Sequence, residues 1–184
     1  MSTLSPDNSA LIVIDMQGRL AYLMEEKELL FRSIRGAIQL AYHLNIPVIY
    51  TEQVPDKIGP TIPEIKEMLY GRDPIVKKTF SCCGSPLFKE QLKSLRRRNL
   101  IITGIESHVC VYQTVSDLLT EGYQPHLAYD AISSRSTHTR QVAFDRMVQA
   151  GALPTTVEML ACELIKTSEH PKFKEILGLL KSST

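Results

Sequence analysis

The fold is decided by Leu100-Ile-Ile-Thr-Gly-Ile-Glu-Ser-His-Val-Cys110, in which an apolar run passes a glycine and enters a helical pattern. A short, continuous apolar run is typical of a strand that is buried on both faces. The stretch therefore predicts a strand ending at Gly104 and a helix from about Val109, with Cys110 in its first turn. Backbone N–H groups and the helix dipole favour a thiolate there, which lowers a cysteine's pKa from about 8.5.

Apolar runs of the same kind recur on both sides of this stretch. The predicted strands are Ala10–Ile14, Ile46–Tyr50, Leu100–Thr103 and His126–Tyr129, with weaker candidates at Pro74–Phe80 and Leu153–Thr156. Helical periodicity separates them, at about Glu28–Leu44, Leu87–Arg97, Val109–Glu121 and Thr139–Ala150, with two more helices within Val157–Leu180. Gly122 and Gly151 follow two of these helices, where glycine commonly ends a helix.

Alternating strands and helices imply right-handed crossovers and a parallel sheet. The chain shows no linker, repeat or low-complexity tract, so we expect residues 1–184 to form one α/β domain. Its architecture would be a Rossmann-like, three-layer αβα sandwich. The turn after the first strand, Asp15-Met-Gln-Gly-Arg-Leu20, holds a single glycine, so neither a dinucleotide fingerprint nor a phosphate loop is expected.

Composition limits the classes of partner. The 184 residues are 43% hydrophobic and 22% charged, which is typical of a globular protein. A formal net charge of +1 gives no electrostatic reason to expect nucleic acid or a membrane as partner. The first residues lack the pattern of a secretory signal. The four cysteines include the adjacent pair Cys82 and Cys83 but no Cys-x-x-Cys spacing, which fits a reducing, cytoplasmic location.

Polar residues follow the predicted strands, and ligands of parallel sheets bind at the carboxyl ends of strands. These positions are Asp15 after the first strand, Thr51-Glu-Gln53 after the second, Lys77 and Lys78 in the weak strand, Cys110 after the fourth and Asp130 after the fifth. An acid, a lysine and a cysteine are thereby expected in one pocket. Neighbouring strand residues face opposite sides, so a shift of one residue would put Lys78 inside in place of Lys77.

At these positions the chain resembles the isochorismatase-like superfamily of cysteine hydrolases. The resemblance rests on Asp15-Met-Gln17, Lys77-x-x-Phe80-Ser81, Thr103-Gly-Ile-Glu-Ser-His-Val-Cys110 with Thr114, and Asp130-Ala-Ile-Ser-Ser-Arg135. It implies a six-stranded parallel sheet and a catalytic triad of Asp15, Lys77 and Cys110. It also implies a cis peptide at Ile105-Glu106, with backbone N–H groups of this loop and of Cys110 binding an oxyanion.

The resemblance is strongest to the isochorismatase domain-containing group, through Thr51-Glu-Gln-x-Pro55, Gly104-Ile-Glu106 and the tail from His170 to Glu175. Nicotinamidase-like members carry an Asp-x-His metal motif after the second strand, and this chain has none, so no metal or other cofactor is expected. Cys110 favours an amide-type small-molecule substrate, attacked by the thiol to give a thioester. Glu106 stands where the family usually has a small residue.

Two other functional classes stay open. One is a thiol-based redox or binding protein on the same fold, and the other is a vinyl ether hydrolase of the isochorismatase type, which needs no thiol. Side chains that could contact substrate are those of Gln17, Glu52, Phe80 and His108. The family resemblance and the apolar helix Phe173–Leu180 predict a homo-oligomer, a dimer or tetramer.

Overall fold

The structure, a computed structural model, describes residues 4–182, and the side chains of residues 4–178. Within these residues six parallel strands form one sheet in the order β3-β2-β1-β4-β5-β6. The strands are β1 (Ser9–Ile14), β2 (Val48–Gln53), β3 (Ile75–Lys77), β4 (Asn99–Ile105), β5 (Gln124–Ser133) and β6 (Leu153–Thr155). The predicted α/β sandwich with a six-stranded parallel sheet is confirmed.

Each central strand is apolar on both faces because helices cover both sides of the sheet. In β1, Leu11 and Val13 enter one hydrophobic core, whereas Ala10, Ile12 and Ile14 enter the other. All six residues of β1 are buried. This two-sided burial explains why the strands appear in the sequence as continuous apolar runs.

Helices α2, α8 and α9 cover one face of the sheet, and α5, α6 and α7 cover the other. Short helices α1, α3 and α4 lie in the loops. The helices are α1 (Gly18–Tyr22), α2 (Lys27–His43), α3 (Pro55–Ile58), α4 (Pro63–Lys66), α5 (Pro86–Leu95), α6 (Tyr112–Thr120), α7 (Thr137–Gln149), α8 (Val157–Ile165) and α9 (Phe173–Ser182). No helix within residues 4–182 has the length and apolar character needed to cross a membrane.

Several strands extend beyond their predicted ends. The expectation that the fourth strand ends at Gly104 is wrong, since β4 continues to Ile105. Gly104 pairs with Ile14 of β1 and has φ +112°, and a Cβ there would lie 2.1 Å from the carbonyl oxygen of Ile14. Glycine thus lets two backbones approach and does not end the strand. Gly122 and Gly151 do follow α6 and α7 with positive φ, as expected of helix C-caps.

Candidate active site

The candidate site lies where the strand order reverses, between β1 and β4. The connections from these neighbouring strands run to opposite sides and leave a crevice at their carboxyl ends. Asp15 directly follows β1, Gln53 ends β2, Lys77 ends β3 and Cys110 lies in the turn after β4. The sheet therefore brings together four side chains that are far apart in sequence.

Asp15 is held by two side chains, one on each carboxylate oxygen. Its backbone has φ +48°, a left-handed conformation that aspartate adopts more readily than most residues. Thr51 Oγ1 donates to Asp15 Oδ1 at 2.6 Å, and Lys77 Nζ lies 2.6 Å from Oδ2. The carboxylate, only 5% exposed, is thus paired with a cation and hydrogen-bonded at both oxygens.

Lys77 is the lysine that faces the site. It is 3% exposed, whereas Lys78 points outward and is exposed. Besides Asp15, the Lys77 ammonium donates to Gln53 Oε1 at 3.0 Å and to the backbone carbonyls of Thr79 at 3.1 Å and Phe80 at 3.0 Å. A buried ammonium needs such partners, because burial of an unpaired charge costs several kcal/mol.

Cys110 lies in a single π-helical turn, Ser107–Val111, that leads directly into α6. Its side chain is 8% exposed, and its Sγ lies 3.4 Å from Gln53 Oε1. The thiol is therefore within reach of the same amide oxygen that binds Lys77. Single π turns inside helices are frequent at functional sites.

The expected lowering of the Cys110 pKa is wrong. Burial raises the pKa of this thiol, the negative charge of Asp15 and a hydrogen bond to it raise it further, and the Lys77 ammonium opposes them only in part. Burial and the Asp15 carboxylate therefore favour the protonated thiol of Cys110 over the thiolate. The position of Cys110 at a helix N-terminus suggested a thiolate. The sequence does not show how strongly burial of the thiol and the Asp15 carboxylate oppose that effect.

Of the other three cysteines, Cys82 and Cys83 are buried like Cys110, and Cys162 is exposed. Burial raises the pKa of Cys82 to about 11 and that of Cys83 to about 12. Cys162 is exposed on α8. Any measurement of thiol reactivity must therefore remove Cys162 first.

The loop before Cys110 contains a cis peptide bond between Ile105 and Glu106. Ile105 is fully buried, and Glu106 is 8% exposed. Glu106 Oε1 accepts a hydrogen bond from Arg135 Nε at 2.8 Å, which forms an ion pair at the edge of the site. The carboxylate that stands in place of a small residue is thus partnered by Arg135, from the segment after β5.

Two of the expected substrate contacts have other partners. Gln17 donates to the carbonyls of Gln53 at 3.2 Å and Gly59 at 2.7 Å and accepts from the Gln53 N–H at 2.6 Å. Glu52 Oε1 accepts from the N–H and the hydroxyl of Thr61 at 2.7 and 2.6 Å. Both side chains hold loops in place, and a contact of either with a substrate stays a prediction.

Phe80 and His108 stay candidates for contact with a substrate. The Phe80 ring is 52% exposed beside the lysine that its carbonyl binds. His108 Nδ1 lies 3.0 Å from Ser134 Oγ, and the ring lines a surface cavity of about 170 Å³ between the π turn and α7. Both side chains leave surface that a ligand could contact.

The sequence predicted Thr51-Glu-Gln53 at this edge of the sheet, but only Glu52 was named as a candidate substrate contact, and the roles of Thr51 and Gln53 were missed. Adjacent residues of a strand face opposite sides, and Thr51 and Gln53 share the side that faces Asp15 and Lys77. This alternation with a period of two could have identified both residues from the sequence. Once Asp15 is placed in the crevice, every second residue of β2 must face it.

Within residues 4–178, whose side chains the structure describes, no three histidine, cysteine or acidic side chains cluster as a metal site requires. Metal independence stays a prediction, testable by elemental analysis of the purified protein.

Comparison with known proteins adds to this geometry. The model of the Isochorismatase domain matches residues 9–159, a range that includes Asp15, Lys77 and Cys110. The chain belongs to the isochorismatase family. Human isochorismatase domain-containing protein 2 is 37% identical over 177 residues, which cover 96% of this chain and 84% of that protein. Family membership supports a hydrolase function.

Solved structures share the fold over nearly the whole chain. The MAR1 ribonuclease of Caenorhabditis elegans is 42% identical with a TM-score of 0.91, covering 98% of this chain and 93% of that one. YcaC of Pseudomonas aeruginosa, solved with hexane-2,5-diol and covalent acrylamide, is 26% identical with a TM-score of 0.91, covering 99% and 94%. Escherichia coli YcaC, an octameric hydrolase of unknown specificity, is 25% identical with a TM-score of 0.87, covering 100% and 98%.

Proposed function

We propose that this protein is a metal-independent cysteine hydrolase that cleaves a small amide through Asp15, Lys77 and Cys110. One observation carries the proposal. A buried lysine lies 2.6 Å from a buried aspartate, and the sulfur of Cys110 lies 3.4 Å from the Gln53 amide oxygen that binds the lysine. A nucleophile beside a base that is oriented by a third group is the arrangement that covalent catalysis requires.

The first half of the reaction forms a thioester. The Cys110 sulfur attacks the amide carbonyl carbon while its proton passes to Asp15, so that the thiolate exists only as the carbon–sulfur bond forms. The carbonyl oxygen gains the negative charge. Asp15 then returns the proton to the amine nitrogen, the carbon–nitrogen bond breaks and the amine leaves. Lys77 holds the carboxylate in position throughout.

The second half releases the acid. A water molecule gives a proton to Asp15 and attacks the thioester carbonyl carbon. The carbon–sulfur bond then breaks, the proton returns to sulfur, and the carboxylic acid leaves. This cycle restores the protonated thiol, which is the form that the raised pKa of Cys110 favours in the free protein. The position of Cys110 beside Asp15 and its protonation state in the free protein are therefore both consistent with this cycle.

The relatives support a nucleophile in this fold. YcaC of Pseudomonas aeruginosa carries covalent acrylamide, a small amide, and YcaC of Escherichia coli is a hydrolase of unknown specificity. We take the first as support for a reactive group that admits a small amide in the present chain. The second is a reason to search substrates broadly.

The test is a screen of small amides with wild-type protein and the Cys110→Ala variant side by side. Once a substrate is found, Cys110→Ala and Asp15→Asn should each lower kcat by at least about a thousandfold, with unchanged circular dichroism. The double variant should be hardly slower than either single variant, because both groups serve one step. Conversion by Cys110→Ala at the wild-type rate would contradict the mechanism.

RNA cleavage is a second candidate function, because the MAR1 ribonuclease of Caenorhabditis elegans is 42% identical over 98% of this chain. Such a reaction could use Asp15 as the base without a thiol. Cleavage of a labelled single-stranded RNA that persists in Cys110→Ala and is lost in Asp15→Asn would favour this candidate. No cleavage by the wild type would exclude it for that RNA.

A further inference from the structure

Gln53 lies between the lysine and the thiol of the site. Its amide oxygen accepts a hydrogen bond from Lys77 Nζ at 3.0 Å and lies 3.4 Å from Cys110 Sγ. Gln53 is also the residue of β2 that pairs with Lys77 of β3. A single neutral acceptor thus contacts two members of the proposed triad.

Hydrogen bonds hold both the backbone and the side chain of Gln53 in position. Gln17 contacts both polar groups of the Gln53 backbone, accepting from its N–H at 2.6 Å and donating to its carbonyl at 3.2 Å. The Gln53 Nε2 donates to the carbonyl of Lys78 at 3.4 Å, so the amide nitrogen points outward and the amide oxygen points into the site. This orientation leaves the thiol facing an acceptor.

The Lys77 ammonium has three hydrogens and four oxygen acceptors, from Asp15, Gln53, Thr79 and Phe80. All of its hydrogens are therefore engaged before the thiolate forms. An acceptor at Gln53 withdraws lysine hydrogens from Cys110 and offers the S–H group a partner. Both effects favour the protonated thiol over the thiolate.

We infer that Gln53 is a positioning residue that keeps Cys110 protonated in the free enzyme and holds Lys77 against Asp15. This role rests on the proposed function and extends it to a residue that carries no reacting atom. Removal of the acceptor should lower the pH at which Cys110 becomes reactive. A negative charge at the same place should raise it.

Two substitutions of nearly equal size separate this role from a structural one. In a Cys162→Ser background, the alkylation rate of Cys110 by iodoacetamide is followed by peptide mass spectrometry from about pH 6 to about pH 10. Gln53→Leu should speed alkylation at neutral pH about tenfold, and Gln53→Glu should slow it by a similar factor, because one pKa unit is a tenfold change in thiolate. Exposed Gln91→Leu, on α5, is the control and should change nothing.

A loosened fold would make the thiol more reactive in both Gln53 variants. Shifts in the same direction, or shifts below about twofold in both, would therefore overturn the inference. Gln53→Met replaces Gln53→Leu if the latter does not fold. If the alkylation profile is unchanged and turnover is still lost in Cys110→Ala, Gln53 does not have the inferred role, but the proposed function stands. Turnover that survives in Cys110→Ala would overturn both.

Discussion

Lys77 and Lys78 are adjacent residues of the same chemistry, but one lies inside the site and the other is exposed. Lys77, the last residue of β3, is buried against Asp15, whereas Lys78, directly after the strand, is exposed. The motif spacing favoured Lys77 in the sequence, but a register shift of one residue would have exchanged the two lysines. The pairing of Gln53 with Lys77 sets the register.

This pair of lysines gives a matched prediction. Lys77→Ala should lower turnover by at least about a hundredfold, because it leaves Asp15 without its cation and the site misaligned. Lys78→Ala should stay within about twofold of wild type. Steady-state kinetics of both variants on a substrate from the amide screen provide the measurement. A strongly impaired Lys78→Ala beside a fully active Lys77→Ala would show that the exposed lysine performs the chemistry.

The sequence placed Asp15, Lys77 and Cys110 at the ends of strands, and the structure brings those three side chains together. The charge state of Cys110 could not be predicted in the same way. It depends on how deeply the thiol is buried and on which face of β2 meets the site. Strand ends follow from local pattern, whereas burial and contacts across strands follow only from the assembled sheet.

Elements with a clear pattern were predictable, and short ones were not. Helix α2 has seventeen residues with a buried face, so its periodicity is visible in the sequence. Helices α1, α3 and α4 have only four or five residues, which is about one turn and too short for a period to be recognised. The strands β4 and β5 were predicted too short because polar or glycine residues continue the pairing beyond their apolar centres.

Gly104 provides a test of strand packing. Gly104→Ala should lower the free energy of unfolding by more than about 4 kcal/mol, or prevent folding, because its Cβ would lie 2.1 Å from the Ile14 carbonyl oxygen. Gly122→Ala is the control, since Gly122 also has positive φ but no atom within 4 Å of the position that a Cβ would take. It should cost only about 1–2 kcal/mol. Urea denaturation measures both, and equal losses would contradict the close approach.

At the scale of the whole molecule, stability should depend on the protonation of His126. This histidine is 5% exposed in β5, its Nε2 lies 3.3 Å from Asn99 Oδ1, and burial lowers its pKa to about 4. Unfolding exposes the ring and returns its pKa to about 6.5. The unfolded chain therefore binds a proton that the folded chain does not, and the free energy of unfolding falls as pH drops from about 6.5 to about 4.

The loss over this window should reach about 3 kcal/mol, an upper value set by the pKa difference. His126→Gln should remove most of this histidine's share, so the variant should lose less stability than wild type between about pH 7 and about pH 4.5. The exposed His138 is the control, and His138→Gln should keep the wild-type pH dependence. Urea midpoints at the two pH values decide the question. Parallel curves for wild type and His126→Gln would contradict the assignment.

We predict a homo-oligomer, on the family resemblance more than on the last helix. The predicted apolar surface of the last helix is reduced, because Ile176 is buried and Phe173 packs against the core. The side chains of Leu179 and Leu180 lie outside the described residues. Support now comes from Escherichia coli YcaC, which is octameric. Light scattering at micromolar concentration should give a mass of several chains, and the mass of one chain would contradict the prediction.

The placement of the site on both sides of one strand pairing divides the chemistry between two halves of the chain. Asp15, Gln53 and Lys77 precede the basic turn Arg96–Arg98, and Cys110 follows it. The seam between these halves is the pairing of β1 with β4, six residues on each side from Ser9↔Asn99 to Ile14↔Gly104. Neither half carries both the proposed base, Asp15, and the proposed nucleophile, Cys110. Catalytic activity would consequently appear only when two fragments, one from each half of the chain, associate. The fold is therefore suited to the design of a split enzyme.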